Sequence, residues 1–150
     1  MTIGIPREIL QRENRVAALP ETVSEYRAMG FDVLVEASAG EGALRPDEEY
    51  ARAGARIITD AEQLFSASNV ILKVKQPCLN HRFGRHEAEM MPEGAILIAF
   101  LHPAAPANHE MIRMLRDRNI TAFTMDSIPR ISRAQKMDAL TSCLLYTSDA

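Results

Sequence analysis

Six short apolar runs recur along the chain, each separated from the next by a segment with helical spacing. This alternation constrains the fold more than any other feature. The runs are "TIGI" (2–5), "DVLVEA" (32–37), "RIIT" (56–59), "VILKVK" (70–75), "AILIAF" (95–100) and "ITAFTM" (120–125). Their β-branched, continuous apolar character predicts strands covered on both faces, as in parallel sheets. Between them, "PETVSEYRAMG" sets Val23, Tyr26 and Met29 along one side and stops at Gly30. "PDEEYARAG" opens on Pro46 with acids in its first turn and stops at Gly54. "DAEQLFSAS" offers Asp60 and Gln63 as a capping box. "NHEMIRMLRDRN" brings Met111 and Ile112 onto Leu115, with Asn119 as its cap. The segment from "PCLNHRFGRHEAEM" to "MPEG" is less regular and reads as loop with a short helix. Strand–helix alternation of this kind predicts an α/β fold, a Rossmann-like open, mostly parallel sheet with helices on both faces, here as an incomplete unit.

Charge and cysteine usage narrow the function classes. The 17 Lys and Arg against 20 Asp and Glu leave a net charge of -3, with no electrostatic footprint for nucleic acid or an anionic membrane. Cys78 and Cys143 lie far apart without metal-ligand spacing, so neither a disulfide framework nor a zinc site is expected, as suits a reducing cytoplasm. The longest apolar run, "GAILIAFLHPAAPA" (94–107), is short and interrupted by His102 and two prolines, so no membrane insertion is expected. "MTIGIPREIL" has no apolar signal core.

Several polar constellations compete for a functional role. "GEGALR" (40–45) follows a strand, but Arg45 stands where a dinucleotide fingerprint needs a third small residue, so a glycine-rich turn is the expected reading. His81 and His86, five apart in "NHRFGRHE", match no zinc spacing and read as part of a polar surface segment; His109 is expected to face solvent. His102 differs, because it directly follows a strand. Ligands in open α/β sheets bind beyond the carboxyl ends of the strands. Arg15, Lys75 and Arg130 also fall just past predicted strand ends. Each alone is an ordinary surface residue; together they make a candidate site for an anionic ligand.

The segment "MDSIPRISRAQKMDALTS" (125–142) carries the most organised polar pattern. Pro129 turns Ile128 away from helical geometry, so the chain leaves the strand extended. If the rest is helical, Gln135, Asp138 and Thr141 share roughly one face, and Arg130 on the lead-in can fold back towards Asp138. The alternative is an amphipathic turn with Ile131, Met137 and Leu140 inward.

This segment, with "IGIPREILQRENRVAALPETV", "ASAGEGA" and "ILKVKQP", resembles the N-terminal domain shared by alanine dehydrogenase and the alpha subunit of proton-translocating NAD(P) transhydrogenase. The resemblance covers residues 1–142, and "PRISRAQKMDAL" is similar to the transhydrogenase branch in particular. It implies part of an NAD(H)-binding component with two Rossmann-like subdomains, the second carrying the glycine fingerprint downstream and NAD(H) lying in the cleft between them. By position it implies Arg130, Gln135, Asp138 and Thr141 as cofactor-binding residues, with Thr141 standing where the family has serine. Gln135 and Asp138 are the ones expected to support hydride transfer. NADP(H) would be bound by a partner domain rather than by this chain. Membrane and NADP-binding subunits are the implied partners, and the intact NAD-binding component is expected to be a homodimer. The implied location is cytoplasmic, peripheral at the inner face of the bacterial plasma membrane.

The same resemblance keeps a second enzyme open. Arg15, Lys75 and His102 match the positions with which alanine dehydrogenases hold and protonate pyruvate, implying NAD-dependent reductive amination. A noncatalytic docking or assembly domain is a third reading. The final "CLLYTSDA" departs from the family pattern, so residues 143–150 are expected to be a non-native tail on a C-terminally truncated domain that is inactive alone.

Overall fold

The computed structural model describes residues 1–128. Strands β1 (Thr2–Ile5), β2 (Asp32–Glu36), β3 (Arg56–Ile58) and β4 (Val70–Lys75) fall on the first four predicted runs. A small hairpin follows, β5 (Leu79–Asn80) with β6 (Arg85–His86), and then β7 (Ile96–Phe100) and β8 (Thr121–Thr124) complete the strands. The helices are α1 (Pro20–Ala28), α2 (Asp47–Arg52), α3 (Ala61–Ala67), α4 (Glu87–Met90) and α5 (His109–Asp117). The main sheet runs β3-β2-β1-β4-β7-β8 with every pairing parallel. Its order reverses between β1 and β4, which makes a topological switch point there.

Period-two alternation divides the core between the two faces. Val70, Leu72, Ile96 and Ile98 join Val23 and Tyr26 of α1 and Tyr50 of α2. The intervening Ile71, Leu97 and Ala99 join Phe65 of α3, Ala88 and Met90 of α4, and Met111 and Leu115 of α5. Helices therefore cover both faces of the sheet centre, as the continuous apolar runs required; β8 at the edge departs from that expectation, with Thr121, Ala122 and Phe123 exposed. Tyr50 is fully buried, and its hydroxyl donates to the Ala18 carbonyl at 3.1 Å.

The ends of α1 and α5, on the amino side of the sheet, share one hydrogen-bonding pattern. After α1, Gly30 N–H donates to Arg27 O and Phe31 N–H to Tyr26 O; Asn119 and Ile120 repeat this after α5 with Arg116 O and Leu115 O. Gly30 and Asn119 both take positive φ, the left-handed conformation this stop demands. Met29 is where the sequence expectation fails. It lies past the last helical residue of α1, turns outward and is 67% exposed.

Two capping expectations also change. Asp60 caps α3 by accepting from Glu62 N–H alone. The reciprocal box belongs to α4: His86 Nδ1 accepts from Ala88 N–H and Glu89 accepts from His86 N–H. The irregular segment thus contains a hairpin as well as a helix. Asn80 closes its turn, accepting from Arg82 N–H on its side chain and Phe83 N–H on its carbonyl.

Phe123 on β8 is 56% exposed, while Ile71 in the sheet centre is fully buried. Ile71→Ala should therefore cost about 2–5 kcal/mol in denaturant unfolding through the cavity it leaves. Phe123→Ala should stay within about 0.5 kcal/mol of the parent.

Candidate functional site at the carboxyl edge of the sheet

The strand ends at the switch point carry an unusual density of charge. β1 runs out through Pro6, Arg7 and Glu8, whose carboxylate turns back under the sheet edge. Lys73 of β4 is fully buried, with its ammonium 3.1 Å from Glu87 Oε1 and 3.3 Å from Glu8 Oε2. The Glu87 and Glu8 side chains are 1% and 2% exposed. The Glu87 contact is a hydrogen bond. The Glu8 contact is an ion pair at hydrogen-bond range but without hydrogen-bond geometry, which leaves Oε2 otherwise unpartnered. Burial alone would favour the neutral amine, but the Glu87 and Glu8 carboxylates outweigh it and raise the Lys73 pKa. Beside them Glu36, at the end of β2, accepts from Arg7 N–H at 2.9 Å. Burial pushes its pKa up.

Above this buried layer lie the residues expected from sequence. Arg15 donates through Nε and Nη2 to both oxygens of Glu13, at 2.7 and 2.6 Å. That bidentate contact with the Arg15 side chain is the main cause holding the Glu13 pKa down at about 2, with a smaller contribution from the Lys75 charge. Lys75 ends β4, which pairs with β1, the strand from which the Glu13–Arg15 segment issues. Lys75 is also the register partner of Phe100, whose ring stacks on His102 at 6.3 Å between centroids. Arg15, Lys75 and His102 thus end or follow three strands adjacent in the sheet, β1, β4 and β7.

His102 is held with unusual firmness for a half-exposed residue. Its Nδ1 lies 2.6 Å from Asp126 Oδ1, and its backbone N–H donates to Asp126 Oδ2 at 2.8 Å. Asn108 Nδ2 donates to the carbonyls of Leu101 and His102. The backbone takes φ +47, a left-handed conformation that these contacts sustain. Burial opposes ionisation of Asp126, but the Thr124 hydroxyl and the His102 N–H bind its charged form and bring its pKa below the usual range. With Nδ1 committed to Asp126, Nε2 is the ring position left for a ligand or a proton.

"GEGALR" forms a tight turn, Glu41–Ala43, rather than a ligand cradle. A Cβ at Gly40 would come within 2.5 Å of both the Arg45 carbonyl and the Tyr50 ring, and one at Gly42 within 2.6 Å of the Asn14 carbonyl. These glycines make room for the protein's own backbone and ring. Among the described residues, the carboxyl edge can hold the polar end of a ligand, and the glycine turn cannot seat a pyrophosphate.

His109 and His81 face solvent, while His86 is half-buried in its capping role. Arg130, Gln135, Asp138 and Thr141 lie outside the described residues, as do residues 143–150. Glu8, Glu13, Lys73, Glu87 and Asp126 escaped the sequence reading. The available signal was Lys73 itself, since a lysine inside a doubly covered strand requires buried carboxylates.

With this edge described, the relationships of the chain can be placed. The family described as alanine dehydrogenase/PNT, N-terminal domain, matches residues 4–144. The chain belongs to that family. It is 41% identical over 142 residues to NAD(P) transhydrogenase subunit alpha of Cereibacter sphaeroides, covering 95% of this chain and 26% of that protein. It is 36% identical over 134 residues to alanine dehydrogenase of Methanococcus maripaludis, covering 89% of this chain and 34% of that one. Among solved structures, the transhydrogenase from Sinorhizobium meliloti superposes with a TM-score of 0.83 at 39% identity, over 95% of this chain and 40% of that chain. The chain thus spans roughly a quarter to two fifths of the relatives it matches. A solved L-alanine dehydrogenase superposes with a TM-score of 0.77 at 29% identity, over 89% of this chain and 34% of that chain, so both enzyme types share this fold. Among the described residues, no helix is long and apolar enough to cross a membrane.

The Glu13–Arg15 pair generates a pH signature. A carboxylate depressed from 4.5 to about 2 stabilises the fold fully above pH 4.5, and that contribution is lost as pH falls through about 2. Glu13→Gln should lower the melting temperature near neutral pH, and the gap from the parent should close as pH falls from 4.5 towards 2. Melting curves across that window check it.

Proposed function

We propose that the chain is the N-terminal part of the NAD(H)-binding component of a proton-translocating NAD(P) transhydrogenase, its domain spanning residues 1–142. The reaction is hydride transfer between NADH and NADP+, coupled to proton translocation by partner membrane subunits, with NADP(H) bound on a partner domain. The carrying observation is the family match through residue 144, which takes in the segment 125–142, together with the 41% identity to a transhydrogenase alpha subunit.

Hydride chemistry belongs to the nicotinamides when they are bound; the protein contributes binding and alignment. Arg130 and Thr141 hold a carboxamide, Asp138 orients Arg130, and Gln135 bridges towards the second nucleotide. The chain acts in a homodimeric component at the inner face of the plasma membrane, peripheral to its partner subunits.

A specific observation favours a second reading, alanine dehydrogenase. Arg15, Lys75 and His102 end or follow the adjacent strands β1, β4 and β7, and Asp126 occupies His102 Nδ1, which leaves Nε2 for a ligand. In that enzyme Arg15 pairs the carboxylate of pyruvate, while Lys75 and His102 polarise its keto group.

Assays on the complete protein carrying this domain separate the two. Transhydrogenase activity predicts NADH-dependent reduction of an NADP+ analogue, slowed by Gln135→Asn and by Asp138→Asn. Unchanged hydride-transfer rates in both variants would overturn the residue assignment. NADH oxidation that requires pyruvate and ammonium instead establishes alanine dehydrogenase. NADH binding with neither activity, or no binding at all, leaves a docking or assembly role.

A further inference from the structure

β4 leaves the sheet irregularly. Its partners in β7 run Val70–Ile96, Ile71–Leu97 and Leu72–Ile98, and then the register slips so that Lys75 faces Phe100. The slip places one extra residue on β4, which frees backbone N–H groups from the ladder and re-aims the side chains that follow. Without it, residues 73 and 75 would lie on the same face. With it, Lys73 is buried beside α4 while Lys75 reaches the half-exposed carboxyl edge.

The freed N–H groups are taken by a residue 66 positions away. Glu8 Oε1 accepts from Val74 N–H at 2.6 Å and, more weakly, from Lys75 N–H at 3.4 Å. Its other oxygen faces Lys73, whose ammonium is held from the opposite side by Glu87. Glu87 in turn accepts from Cys78 N–H at 3.0 Å, gripping the chain further along the same exit. A buried ionic trio is a poor device for stability, because well-packed apolar side chains of similar volume serve as well or better. Apolar side chains cannot accept the N–H groups of a bulge, however.

We propose that Glu8 is a positioning residue: by holding the bulge of β4 from the end of β1, with Lys73 fixing its carboxylate, it sets where the Lys75 amine stands at the carboxyl edge. The importance of that amine to a ligand rests on the alanine dehydrogenase reading above; the bond from Glu8 to the bulge does not. Any ligand bearing a carboxylate beside a carbonyl would meet Lys75 in a direction chosen by Glu8.

Two ligand-free measurements on the complete protein test this. Competitive acetylation read by peptide mass spectrometry gives the Lys75 rate against the α-amino group, and amide exchange at Val74 reports the bulge. Glu8→Gln should quicken Val74 exchange about tenfold or more, the scale of one lost charge-assisted hydrogen bond, and shift the Lys75 rate. Glu8→Asp keeps a charge for Lys73 but withdraws the carboxylate by one methylene. It should stay folded and move both readouts the same way. Leu64→Ala, which weakens the buried packing around α3, should leave both at parent values. The proposal is overturned if Glu8→Asp, folded, matches the parent in both readouts, or if Leu64→Ala moves them as far. Protection of Lys75 by pyruvate in the parent is scored separately, and its absence overturns only the ligand-facing reading.

Discussion

A charged lysine enclosed in the sheet, Lys73, is the constraint around which the rest of this structure is arranged. An ammonium without water requires opposite charge close by. Glu8 arrives from the end of β1 and Glu87 from the start of α4, and neither can move without exposing the other two. The hairpin β5–β6 and the His86 cap then follow from the need to deliver α4, and with it Glu87, to that point. Below the trio the sheet is a conventional apolar sandwich; above it lies the polar edge where Arg15, Lys75 and His102 gather.

The two layers divide the work. The buried layer uses full charges where solvent cannot screen them, so its geometry is stiff. The upper layer uses exposed or half-exposed polar groups, two of them oriented by a nearby acid: Glu13 holds Arg15 and Asp126 holds His102. Such acids keep these side chains aligned before any ligand arrives, which lowers the ordering cost of binding.

Much of the architecture was legible in the sequence because period-two burial and helix stops are local properties. All six main-sheet strands fell within the predicted runs, and Asn119 capped α5 as its spacing suggested. Met29 misled because helical spacing says which side a residue takes only while the helix lasts. The hairpin was missed because each of its strands is two residues long, too short for any alternation to show. The candidate edge was half legible: strand ends pointed to Arg15, Lys75 and His102. Their acidic partners were hidden because Glu8 meets β4 across 66 residues and Asp126 meets His102 across 24, pairings that only the folded topology brings about.

The helix stops after α1, α2 and α5 have a wider consequence. Each returns the chain to the sheet through a short fixed link, Met29–Phe31, Ala53–Ala55 and Arg118–Ile120, with the same two backbone bonds closing it. The opposite rim carries the long excursions, from Pro6 to Leu19 and from Leu101 to Asn108. The molecule is built like a comb, with short closed links along one rim and long connections along the other. Residues added to or removed from the long rim would leave these three closures untouched, so strand entry at one rim and charge placement at the other are set by separate stretches of sequence.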